Sequence, residues 1–125
     1  MRFNALWYLI GGVLLGGIVV GSLVPVPRLS PTFNDKLIHF LIYFLLMTWF
    51  GQLQRQRVLL ALGFVAMGFI IELLQGQTRY RTFEWYDLLA NTAGIAVAWV
   101  CLMTPFGKML SWLDRWLQRK MPNTP

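Results

Sequence analysis

Four long apolar runs separated by short polar stretches set the pattern of this chain. They cover residues 5–24, 37–53, 58–75 and 85–104. Each falls within the roughly 17–25 residues that carry a helix across a bilayer. The pattern therefore predicts an all-α membrane protein with four transmembrane helices in one domain, residues 1–104. Pro25, Pro27 and Pro31 keep the first connection out of helix. Asn34 or Asp35 is then placed to cap a helix entering at Lys36. Gln54 to Arg57 makes a tight hairpin between the second and third spans, and Gly76 is a candidate C-terminal cap for the third. Pro105 ends the fourth. Beyond it, Phe106, Met109, Leu110, Leu113, Trp116 and Leu117 recur at helical spacing, with Lys108, Ser111, Arg115, Gln118 and Arg119 mostly opposite. That predicts an amphipathic helix over 105–120 lying in the membrane interface, or alternatively on a partner, followed by a disordered tail at 121–125.

Composition strengthens the membrane assignment. The 125 residues are 57% hydrophobic and 13% charged, where soluble domains carry about 25% charged residues. The first run is long for a signal peptide and no clear cleavage site follows it, so it is expected to remain as a span. The net charge of +6 comes from basic residues between and after the apolar runs. That placement suits membrane orientation and lipid headgroups rather than nucleic acid. Four spans put both termini on one side, with Arg2, Arg55, Arg57, Lys108, Arg115, Arg119 and Lys120 against Arg28, Lys36, Arg79 and Arg81 on the other. Seven against four predicts both termini in the cytoplasm. Cys101 is alone, so no intrachain disulfide forms. The glycine pairs Gly12/Gly16 and Gly17/Gly21 have the spacing that lets helices approach, including those of a second copy.

The polar residues inside the runs carry the chemistry. Asp87 and Asn91 share one face of the fourth span, and Gly94 and Ala98 continue that face with small side chains. A carboxylate just inside a membrane helix costs free energy and needs a partner or a task. Asp35, His39 and Tyr43 line up at i, i+4 and i+8 on the second span, and Glu72 and Gln75 lie near the far end of the third. In the four-span topology these groups, with Glu84, Arg79 and Arg81, gather at the outer face. Three readings stay open there. His39 with Glu72 or Asp87 forms an acid–base pair beside a basic loop that holds an anionic group. Asp35, His39, Glu72 and Asp87 form a hard-ligand metal set, but no second His or Cys supports it, so no metal or other cofactor is expected. Or the groups form a hydrogen-bonded network that locks the helices.

Asp35-Lys36-Leu37-Ile38-His39-Phe40, with Tyr43 following, resembles the D-K-x-x-H-F motif of the VanZ-like family. Glu72 and Gln75 match its E-x-x-Q, and Arg81, Asp87, Asn91 and Gly94 match its R-x(5)-D-x(3)-N-x(2)-G. The resemblance covers roughly 35–98. It implies a small bacterial multi-pass protein of the cytoplasmic membrane with a cell-envelope role. The family's founding member is associated with teicoplanin resistance, and most members have no established activity. The expected function is recognition, and modification if the site is catalytic, of an anionic lipid or peptidoglycan-related precursor. In that reading His39, Glu72 and Asp87 are the catalytic candidates. Arg81, Lys36, Asn91 and Gln75 bind the anion, and Asp35 and Tyr43 support them. The alternative is a non-enzymatic membrane scaffold.

Overall fold

The computed structural model describes residues 1–24, 33–77 and 84–121. Four long helices carry the chain: α1 (Asn4–Leu23), α2 (Phe33–Leu53), α3 (Arg57–Gly76) and α4 (Trp85–Leu102). All four are long and apolar enough to cross a membrane. The chain is a multi-pass membrane protein. A short 3-10 turn over Pro105–Lys108 then leads into α5 (Met109–Lys120).

Two element ends differ from expectation. α2 begins at Phe33, so Asp35 lies in its first helical turn instead of capping it. There the carboxylate faces the positive end of the helix dipole, which favours it. Gly76 is the last residue of α3, and Gln77 follows in right-handed geometry. No described glycine has positive φ, so the left-handed cap expected at Gly76 does not form. Pro105 does end the fourth span. Thr104 accepts the Phe106 N–H on its side-chain oxygen and starts the 3-10 turn.

Packing is tightest between α2 and α4. Asp87, Asn91, Gly94, Ala98 and Leu102 recur along one face of α4 and are buried. At Gly94 a Cβ would run into the Phe40 carbonyl oxygen and come within 3.1 Å of Phe44 N. The two backbones touch here, as the small residues at this spacing predict. Leu46, Met47, Ile95 and Ala98 fill the contact, and Ala61 and Phe64 of α3 close it. α1 packs more loosely. Trp7 meets Trp49 edge-on at 6.2 Å, and Gly11 leaves room for the Trp49 indole, whose Nε1 donates to the Trp7 carbonyl at 3.0 Å.

The opposite end of the bundle is tied by Asp114 of α5, whose side chain is fully buried. Phe3 offers α1 no side-chain cap. Asp114 instead holds the residues just ahead of the helix, accepting the N–H groups of Arg2 at 3.0 Å and Phe3 at 2.9 Å, with Trp7 Nε1 at 2.8 Å. The backbone leading into α1 is thus held from the far end of the chain. Gln52 of α2 likewise accepts the Leu110 N–H at 2.7 Å and caps α5.

Candidate functional site

The hairpin topology puts the start of α2, the end of α3 and the start of α4 at one end of the bundle. Asp35, Lys36, His39, Glu72, Gln75, Glu84, Asp87 and Asn91 meet there, as the pattern of polar positions predicts. Arg79 and Arg81 fall outside the described residues.

Lys36 stands at the centre of the α2–α4 side. Its Nζ donates to Asp87 Oδ1 at 2.5 Å, to Glu84 Oε2, and to Asp35 Oδ2 at 3.3 Å. Asp87 is fully enclosed (0% exposed). An enclosed carboxylate needs a cation or several donors, and Lys36 supplies the cation from the facing helix. Lys36 therefore offsets carboxylate charge instead of presenting an ammonium group to a ligand. Topology alone groups Glu84 with the outer acids and assigns it no partner, and the structure pairs it with Lys36. Glu84 is the extended residue just before α4, three positions ahead of Asp87, and that placement beside the first turn is the signal that points to it.

His39 lies one turn deeper. Its Nδ1 is 3.1 Å from Asn91 Oδ1. The amide oxygen accepts a hydrogen bond when Nδ1 carries the hydrogen. Nε2 faces carboxylate oxygens, Asp87 Oδ2 at 3.5 Å and Asp35 Oδ1 at 3.9 Å, which favour a hydrogen on that nitrogen. One oxygen or nitrogen from each of Asp35, His39 and Asp87 lies within 4.8 Å of the others, close enough to hold a metal ion. Lys36 Nζ already binds both carboxylates of that trio, so a metal would have to displace an ammonium group.

Glu72 is buried and accepts the Glu84 backbone N–H at 3.0 Å, which ties the end of α3 to the start of α4. Gln75 Nε2 donates 2.5 Å to the Ser22 carbonyl, one of the last-turn carbonyls of α1 that has no partner within its own helix. Gly68 is the glycine that lets Asn91 and Tyr43 in. A Cβ there would come within 2.9 Å of Asn91 Nδ2 and 3.1 Å of the Tyr43 hydroxyl.

Beside this network a cavity of about 310 Å³ opens between α1, α2 and α3. His39, Asp35, Tyr43, Glu72, Gln75 and Asn91 line it from α2, α3 and α4. α1 contributes Gly17, Ile18, Gly21 and Ser22. A Cβ on Gly17 or Gly21 would meet nothing within 4 Å. The glycine spacing that suited helix association thus lies, at Gly17 and Gly21, along an open cavity wall. His39 is shared by both sides of the site, with Lys36 and Asp87 behind it and the cavity in front.

These motif positions are where a family would leave its mark. The family model VanZ/LLP1 matches residues 6–110. The chain belongs to the VanZ/LLP1 family. That match takes in the cavity, the Lys36 network and the start of α5. An uncharacterized protein of fission yeast, Schizosaccharomyces pombe, is 37% identical over 79 residues, covering 58% of this chain and 48% of that protein. The chain thus spans about half the length of this relative. No solved structure matches it.

Proposed function

We propose that this VanZ/LLP1 protein binds the polar end of an anionic membrane lipid or lipid-linked envelope precursor in the cavity beside His39. In this reading His39 and Glu72 move protons on the bound group, while Asp87 and Asn91 orient the imidazole. Gln75 and Asn91 hydrogen-bond the ligand, and Arg81 of the connecting segment meets its negative charge. Lys36 moves from the ligand to the supporting network. The cavity carries the proposal: three polar motifs meet on its walls while α1 presents glycine, leaving about 310 Å³ open at the end of a membrane bundle. Ligand sites commonly combine such a pre-formed cleft with a few convergent polar groups. The fission-yeast relative favours a lipid headgroup over a peptidoglycan-related group, since yeast builds no peptidoglycan. The distribution of Lys and Arg supports an orientation with both termini in the cytoplasm, and a bacterial cytoplasmic membrane is the location that the family resemblance implies.

The test is to fill the cavity from its open wall. Gly17→Leu with Gly21→Leu adds side chains where no atom lies within 4 Å, so the fold is expected to persist. Mass spectrometry of lipids retained through detergent washing should show an anionic lipid on the natural protein and its loss from the filled variant. Identical lipid profiles would remove the basis for the proposal. Lipid and muropeptide comparison of cells carrying His39→Ala or Glu72→Gln then tests proton transfer.

A second reading has its own support. Lys36 is bound by carboxylates of both α2 and α4, an arrangement that locks helices. If locking is the whole role, His39→Ala lowers melting temperature and leaves lipid profiles unchanged.

A further inference from the structure

The outer face of α5 lies at the opposite end of the bundle from the cavity. Its rotation is set by its inner face. Leu110 and Asp114 are buried, with Asp114 held by α1 and the Leu110 N–H held by Gln52. At about 100° per residue, Trp112, Arg115, Trp116 and Arg119 point the other way. All four are exposed, the two indoles by 59% and 46%. They interleave as two i, i+4 pairs around a notch of about 60 Å³.

The sequence pattern groups Trp116 with Leu110 on one apolar face of an interfacial helix. The structure divides that face: Leu110 is enclosed by protein, while Trp112 and Trp116 stand outside with the arginines. The charge on the outer face has one sign. Asp114 is the acid of this helix, and it is buried under α1. Arg115, Arg119 and Lys120 remain exposed, with Lys120 Nζ 5.8 Å from the Trp116 ring.

We propose that this face binds the phosphate of an anionic membrane lipid, with Arg115 and Arg119 as the donors and Trp112 and Trp116 as the apolar walls. Depth argues for lipid as the occupant. α5 abuts the first turn of α1 and the last turn of α2, which places it where apolar spans end and headgroups begin. Indole rings favour that layer, and guanidinium groups bind phosphate through paired N–H bonds. The site is independent of the cavity.

The test uses the full chain in nanodiscs of phosphatidylcholine or phosphatidylglycerol with brominated tails. The difference in tryptophan quenching between the natural protein and Trp112→Phe/Trp116→Phe isolates the two indoles. Strong quenching is expected, greater with phosphatidylglycerol. Arg115→Gln/Arg119→Gln should cost about fivefold in phosphatidylglycerol preference per arginine. Both arginines are exposed, so the melting temperature should hold. If that variant fails to fold, a salt titration of the natural protein replaces it, and the preference should fall as salt rises. Absence of quenching, the result a protein-docking face would give, overturns the proposal. So does equal quenching in both lipids.

Discussion

His39 and Asn91 join α2 to α4 through a 3.1 Å contact between imidazole Nδ1 and amide Oδ1. The amide oxygen favours a hydrogen on Nδ1, while Asp35 and Asp87 beside Nε2 favour one there. His39 is the chain's single histidine, which makes its imidazole signals unambiguous. Nitrogen NMR of labelled protein should show a hydrogen on Nδ1, and Asn91→Leu should weaken that preference in favour of Nε2–H. A natural protein found with Nδ1 bare would contradict this hydrogen-bond assignment.

Lys36 holds a carboxylate that has no access to solvent. Lys36→Met leaves Asp87 enclosed without its ammonium partner, and should cost about 3–5 kcal/mol. Thermal unfolding in detergent measures it. Adding Asp87→Asn to Lys36→Met should recover much of the loss, because the enclosed charge that Lys36 offsets goes with it. A double variant no better than the single one would show that the two residues act independently.

Gly94 and Gly63 make a matched pair of helix glycines. A methyl group on Gly94 meets the Phe40 carbonyl, while one on Gly63 meets nothing within 4 Å. Gly94→Ala should therefore destabilise by about 1–3 kcal/mol through forced separation of α2 and α4. Gly63→Ala should be neutral or slightly stabilising, since alanine is the better helix former. Equal melting temperatures for the two variants would refute backbone contact at Gly94.

Asp114 makes stability depend on pH. Burial pushes its carboxyl up, but hydrogen bonds from Trp7, the Phe3 N–H, Gln118 and the Arg2 N–H outweigh burial and hold it below the usual carboxylate range. A group lowered on folding stabilises the native state above its unfolded value, about 3.9 for Asp. That contribution is lost as pH falls from there through the lower folded value. Melting temperature should drop over this acid range in the natural protein. Asp114→Asn should lack that component and should lie about 1.5–3 kcal/mol lower at neutral pH. Parallel pH curves for the two proteins would rule out Asp114 as the source.

Much of the site could be read from local rules. Asp35, His39 and Tyr43 share a face through their four-residue spacing, as do Asp87 and Asn91, and both faces turn inward. Alternating hairpins brought Glu72 and Gln75 to the same end. Lys36 was harder. Its position after Asp35 fits an anion binder as well as an internal cation, and only the facing α4 with Glu84 and Asp87 decides between them.

The same division runs through the whole chain. The sequence alone determined four spans, because the length of an apolar run against the thickness of a bilayer is a local property. It also determined that the polar motifs meet at one end, since short connections force neighbouring helices to alternate. Tertiary structure decided the rotation of each helix about its axis. Gly94 on Phe40 aligns Asp87 with Lys36, Gly68 admits Asn91, and Asp114 reaches back across 111 positions to Phe3 and turns the tryptophans of α5 outward. Those rotations arise from contacts between residues far apart in the chain, and spacing within one helix carries no information about its neighbour's angle.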